Sequence, residues 1–388
     1  MAASPGTLQR VTAELSARAA EHDRTGTFPA EGFETVRRAG LLTATVGRAH
    51  GGPGAGLAET VRILRALGAG DPAVALVTAM TLFTHAAQAR LGHWPEDVYE
   101  EVVAESSRRP VLLNSLRVEP ELGSPARGGL PATTATHVPG GGWRLSGRKI
   151  FSTGAVGLRW MLVWARTDED PARVGAFLVR ADSPGITVHP TWDHLGLRAS
   201  RSDDVEFHDV LVPEGHTTGL HTPEEAPSRD PVTGSWNALG LTALYLGVAG
   251  AARDWLTGFL HERVPTSLGA PLATLPRFQE AVGEIEASLT GAEALVDGLA
   301  ARVDAGDEEA VARAGLAKVV GTRAAIGAVE KALSLTGNRG LASASPLQRH
   351  YRDVLCSRVH TPQDDTVLVA AGRAALSRAA PPSATPHP

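Results

Sequence analysis

The triplet Phe151-Ser152-Thr153 stands between Gly147-Arg148-Lys149-Ile150 and Gly154-Ala155, so an aromatic ring and two hydroxyls follow closely on a turn-forming glycine. An aromatic face offers an apolar shelf, and the neighbouring hydroxyls and backbone amides offer donors. Such a set suits a flat heteroaromatic ring with polar edges. The same residue types also favour an ordinary strand, so the triplet alone does not decide. A second chemical candidate is His360, whose ordinary pKa lies near enough to neutrality for it to hold or pass a proton. Its plain alternative is a polar residue at a helix entry, with Thr361-Pro362 leading into a helix from Asp364. Asp364 and Asp365 then read as first-turn acids favoured by the helix dipole.

Other chemistries lack their spacing. Ser124 and Ser152 have no Gly-x-Ser-x-Gly context, which argues against a hydrolase. His137, His189, His194 and His208 scatter without ligand spacing, so no metal is expected. The single Cys356 has no partner for a disulfide or a thiolate metal site and reads as a helix-packing residue. The chain has 388 residues, 43% hydrophobic and 20% charged, with a net charge of −5. That describes a protein able to bury a large core in two or three units, with neither nucleic acid nor a membrane surface as partner. The N-terminal residues Met1–Leu15 lack a basic-then-apolar leader pattern, so the expected compartment is the cytoplasm.

The elements that must position these residues fall into three regions. Residues 1–109 carry helical periodicity (Val61, Leu64, Leu67), interrupted by a Gly-rich loop over Ala49–Gly56. Residues 110–213 change to short strands, around Trp143–Leu145, Trp160–Ala165, Ala176–Val179, Ile186–Pro190 and Asp204–Phe207. This spacing suggests a small antiparallel barrel or sandwich. Residues 214–234 read as a polar connector. Residues 235–378 return to helices, expected over Leu239–Arg263, Arg277–Ala305, Glu308–Thr336 and Asp364–Leu376, and 379–388 read as a disordered tail.

Several motifs occur in a telling order: Glu119-Pro120-Glu121-Leu122-Gly123-Ser124, then Leu145 to Gly154, Trp192-Asp193-His194-Leu195-Gly196-Leu197-Arg198-Ala199-Ser200, Val205 to Pro213, Leu335-Thr336-Gly337-Asn338-Arg339-Gly340, and Pro346 to Asp353. Taken together they resemble the acyl-CoA dehydrogenase superfamily over nearly the whole chain. The resemblance implies an α+β fold with an N-terminal helical domain, a middle β-barrel domain and a C-terminal four-helix bundle. It implies FAD or FMN at the junction of the last two, and a homotetramer or homodimer. Carried over, Val118 and Ser124 line the pyrimidine and substrate side of the flavin. Phe151 covers the ring, Ser152 supplies donors and the Thr153 hydroxyl reaches N5. Arg263 and Gln279 meet the ADP portion across a subunit interface, although the segment between them is longer and more Pro-rich than usual. Gly337 and Gly340 match the loop admitting the neighbour's cofactor. Asn114 and Tyr245 could face the substrate or simply pack; Arg117 and Arg127 flank its entrance.

One feature of the family is missing. Its dehydrogenases use a glutamate to remove an α-proton. In most of the family that residue lies eight positions after the Tyr-Arg-Asp motif, where this chain has Thr361. In a minority it lies on the first C-terminal helix, but Leu239–Gly250 contains no acid. Seven positions after Asp353 stands His360, matching a histidine of the superfamily's monooxygenase branch. That branch takes reduced flavin from a separate reductase and forms a C4a-hydroperoxide with O2, hydroxylating small organic substrates. The leading expectation is therefore a flavin-dependent monooxygenase with His360 as its catalytic residue. The alternatives are an acyl-CoA or acyl-carrier-protein dehydrogenase with an unusual base, and an inactive partner subunit. Glu119 is acidic and near the expected site, but its family counterpart is structural.

Overall fold

The computed structural model describes residues 3–122, 129–222, 224–225 and 230–379. In the N-terminal region five helices form: α1 (Pro5–Thr25), α2 (Ala30–Arg38), α3 (Leu57–Gly70), α4 (Pro72–Leu91) and α5 (Glu96–Ser106). Polar side chains at their starts satisfy amides that have no partner inside the helix. Ser4 caps α1, and Asp71 caps α4 by accepting from Ala73 and Val74. Helix α3 is capped from far away, by Asp304 accepting from Leu57 and Ala58 at 2.7 and 2.9 Å. The Gly-rich loop therefore ends where the C-terminal region touches the N-terminal one. Helix α4 is apolar nearly all round and is buried on almost every face.

The middle region holds β1 (Leu112–Leu116), β2 (Thr134–His137), β3 (Trp143–Lys149), β4 (Leu158–Thr167), β5 (Val174–Arg180), β6 (Ile186–His189), β7 (Asp204–Val212) and β8 (Thr217–His221). Their order is β6-β7-β3-β2-β4-β5-β8, with β1 also on β4. The β1–β4 and β2–β4 pairs are parallel, unlike the antiparallel expectation. The connector reading of 214–234 also needs correcting. Residues 217–221 pair with β5, and a helix already starts at Pro231. Its cap, Asp230, accepts from Val232 and Thr233, and Pro231 suits the first helical position.

The C-terminal region contains α6 (Pro231–Glu262), α7 (Pro276–Asp304), α8 (Glu308–Thr336), α9 (Asn338–Leu341), α10 (Pro346–Leu355) and α11 (Asp364–Ala379). Helix α6 packs on α3 backbone to backbone. A Cβ on Gly247 would stand 2.0 Å from the Arg65 carbonyl oxygen, and one on Gly68 would stand 2.2 Å from that of Leu244. Only glycine at both positions allows that approach. The expected tail, from residue 380 on, lies outside the described residues, as do Ser124 and Arg127.

Candidate functional site

Strand β3 delivers the aromatic triplet. The amide of Ile150 donates to Val118 O at 3.0 Å, holding the half-buried Val118 against the strand end. The chain then turns at Phe151, whose φ of 54° is uncommon for a residue with a side chain. The next amides are held by the facing loop: Ser152 N donates to Asp203 O and Gly154 N to Ser200 O. That loop is stiffened in turn by Asp203, which accepts from Trp192 N and from Arg201 Nε. The surroundings thus impose the Phe151 conformation.

The result is a presented aromatic. Phe151 is 53% exposed. Trp192 and His194 meet its ring edge-on at 6.4 and 6.0 Å, and they stack on each other at 3.6 Å. Behind the shelf, Asn114 Nδ2 donates to Thr153 O at 3.0 Å, so this amide supports the turn. Ser202 Oγ donates to Thr153 Oγ1 at 3.2 Å, leaving the Thr153 hydroxyl hydrogen available to another acceptor. Ser152 Oγ is buried with no partner among the described residues. A shelf with one orphaned hydroxyl and one uncommitted donor fits a flat ring carrying polar edges.

The second cluster lies where α6 meets the segment after α10. Tyr245 on α6 is 1% exposed, and its phenol oxygen lies 2.6 Å from His360 Nε2. Tyr245 therefore engages His360. Burial, with the Lys318 charge behind it, lowers the His360 pKa to about 4, so the ring is neutral at pH 7. The acids that the sequence offers as candidate bases are committed elsewhere. Asp364 accepts from Lys318 Nζ at 2.9 Å and faces Arg323 at 3.6 Å. Glu119 is fully buried, 2.6 Å from Lys149 Nζ, and also accepts from Ala132 N, Thr133 N and Thr133 Oγ1. Asp365 accepts from its neighbour Thr366 N.

One loop joins the two clusters. Residues 192–200 carry Trp192 and His194 beside Phe151, and the same loop docks on α10. Leu197 N donates to Asp353 Oδ1 at 2.7 Å, and Arg352 Nη1 donates to Leu195 O at 2.8 Å. Gly196 is required there, since a Cβ would lie 2.3 Å from Arg352 O. Burial lifts the Asp353 carboxyl to about 7, against the pull of the Leu197 amide and the nearby arginines.

The remaining expected residues lie elsewhere on the chain. Arg263 and Gln279 flank the α6–α7 connection, where Gln279 Nε2 donates to Ala273 O. Gly337 and Gly340 lie at the α8–α9 junction, Gly340 buried against Thr336. No described contact links these four to Phe151. Arg117 lies over the Trp164 ring at 4.6 Å. Among the described residues no group of histidines, cysteines or acids could hold a metal, and no helix is long and apolar enough to cross a membrane. The Trp192–His194 stack, the Ser202 donor and the Lys318–Asp364 pair escaped the sequence reading. All are made by loops or by helices distant in the chain, which leave no periodicity to read.

Three consecutive family models match this chain: the acyl-CoA dehydrogenase N-terminal domain at residues 7–93, the middle domain at 118–210 and the C-terminal domain at 239–364. The chain belongs to the acyl-CoA dehydrogenase family. YdbM of Bacillus subtilis (strain 168), provisionally named an acyl-CoA dehydrogenase, is 34% identical over 92% of this chain and 93% of its own length. The L-evernosamine nitrososynthase of a Micromonospora species is 32% identical, covering 89% of this chain and 83% of that protein. Among solved structures, KijD3 in complex with FMN and dTDP-3-amino-2,3,6-trideoxy-4-keto-3-methyl-D-glucose is 27% identical, with a TM-score of 0.78 over 96% of this chain and 94% of that one.

Proposed function

We propose that this family member is a flavin-dependent monooxygenase acting on a small organic substrate. The observation that carries the reading is the Tyr245–His360 pair: a neutral imidazole at the family's reactive position, with Asp364 tied to Lys318 and Asp353 turned to the Leu197 amide. A dehydrogenase needs a free carboxylate base, whereas oxygen insertion needs a donor and no such base. The FMN in the KijD3 complex and the nitroso group in the nitrososynthase's name support the same direction. The YdbM match favours the second reading, dehydrogenation of an acyl thioester.

The Phe151 shelf is the place for FAD or FMN, with Ser152 and Thr153 as donors at the ring edge. When bound and reduced, the flavin supplies two electrons to O2, so that one oxygen atom enters the substrate and the other leaves as water. The chain's own groups hold the ring, keep water from the face covered by Phe151 and present the His360 N–H. Delivery of reduced flavin by a separate reductase belongs to this reading. So do a cytoplasmic setting and a homotetramer or homodimer in which Arg263, Gln279, Gly337 and Gly340 meet a neighbour's cofactor.

Two measurements test it. Protein loaded with oxidised flavin and mixed anaerobically with butyryl-CoA should keep its yellow absorbance, while the reduced complex mixed with O2 should pass through a transient absorbing species. Anaerobic bleaching by the thioester would overturn the oxygenase reading in favour of a dehydrogenase. The shelf itself is tested by Thr153→Val, which removes one donor. Loss of a hydrogen bond of about 0.5–1.5 kcal/mol should weaken flavin binding about two- to tenfold. A fluorescence titration and a reduction potential both unchanged in this variant would remove Thr153 from the site.

A further inference from the structure

We propose that Tyr245 is a positioning residue that fixes His360 in the tautomer carrying its hydrogen on Nδ1. What that N–H is aimed at rests on the oxygenase reading; the tautomer itself rests on geometry alone.

The phenol oxygen of Tyr245 and Nε2 of His360 are 2.6 Å apart, and the phenol has no other hydrogen-bond partner among the described residues. Two arrangements satisfy that distance. Either the phenol donates to a bare Nε2, or Nε2–H donates to the phenol oxygen and the phenolic hydrogen points elsewhere. The second leaves a buried O–H with no acceptor, which costs its full desolvation. The first leaves nothing unsatisfied, because an imidazole nitrogen without hydrogen is an acceptor.

The protonation states agree with this choice. Burial, with Cys356 and Asp353 nearby, raises the Tyr245 pKa well above the phenol range, so it keeps its hydrogen to give. The groups around the ring favour a neutral imidazole. Lys318 on α8 is held by Asp364 at the start of α11, so its positive charge is fixed close by. Cys356 is held as a thiol, burial having pushed it up to about 12. Asp353 on α10 is turned toward the Leu197 amide. With Nε2 accepting, Nδ1 must carry the hydrogen. That nitrogen has no partner among the described residues and is not among the buried orphaned atoms, so its donor faces accessible space. Tyr245 thus converts a residue that could present either a lone pair or an N–H into a dedicated donor.

The test reads the ring directly. In 15N-histidine-labelled protein without flavin, long-range 1H–15N correlations should show His360 with a protonated Nδ1 and a bare Nε2 at pH 7; His360→Gln identifies the signal by its loss. Tyr245→Phe keeps the ring and removes the hydroxyl. It should mix the two tautomers and raise the His360 pKa by roughly one unit, since a bond favouring the neutral form is gone. A merely structural tyrosine would move neither quantity while circular dichroism stays native. Finding Nε2–H in the wild type, or the same tautomer and titration in Tyr245→Phe, overturns the proposal. Because neither flavin nor O2 is present, a failed oxygenase reading leaves this result standing, and the reverse also holds.

Discussion

Lys149→Met should destabilise the protein by about 3–5 kcal/mol, because it leaves the Glu119 carboxylate buried without its partner. The methionine fills a similar volume, so the loss is electrostatic and no cavity is made. In the wild type, burial works to raise the Glu119 pKa, yet Lys149 and Thr133 together hold it below the usual carboxylate range. Such a group contributes stability above its unfolded pKa and loses it as pH falls through the lower folded value. In Lys149→Met the sign reverses: burial then dominates, the folded pKa rises, and protonation relieves the strain. Urea unfolding should therefore show the largest gap between the two proteins near pH 7 and a smaller one near pH 4. Adding Glu119→Gln to Lys149→Met removes the charge and keeps an acceptor for the two Thr133 donors, though not for the Ala132 amide, and should recover part of the loss. Equal stability of single variant and wild type at pH 7 would show that the pair is not buried as described.

His360→Ala should separate reduction of O2 from oxygenation. Its N–H donates to a strongly polar or charged oxygen in the proposed reaction, a bond of about 1.5–3 kcal/mol. Losing it should speed the unproductive release of hydrogen peroxide by roughly ten- to a hundredfold, at about 1.4 kcal/mol per decade. Flavin binding should be little changed, since Phe151 and Thr153 remain. The readout is the rate at which hydrogen peroxide appears after the reduced complex is mixed with O2, followed with a peroxidase-coupled dye. With no substrate bound, wild type should release peroxide slowly and the variant quickly. Identical release rates would take His360 out of the reaction.

How far these features could be read in advance depends on how local they are. Helix α8 was legible to the residue, because Glu308 and Thr336 are bounded by a capping Asp307 and by Gly337. Strand β8 was not: Thr217-Thr218-Gly219-Leu220-His221 lacks alternation and becomes a strand only because β5 offers it an edge. Phe151 and Thr153 stood out through their neighbours in the chain. The sequence leaves Tyr245 either facing the substrate or packing, and its engagement with His360, 115 residues away, has no sequence signature. The same two readings are open for Asn114, and its bond behind Thr153 depends on the parallel placement of β1 beside β4.

The loop that docks on α10 also bears on how the chain assembles. Its bond from Leu197 to Asp353 joins residues 156 apart, and the Arg352–Asp23 pair joins residues 329 apart. Closing such long loops is entropically more demanding than closing those that set Phe151, whose neighbouring amides reach only to Ser200 and Asp203. The sheet should therefore acquire its aromatic shelf before the loop docks on α10, which is the later step. A chain caught before that docking lacks the α10 contacts of Leu195 and Leu197, so the Trp192–His194 wall beside Phe151 should be the last part of the shelf to settle.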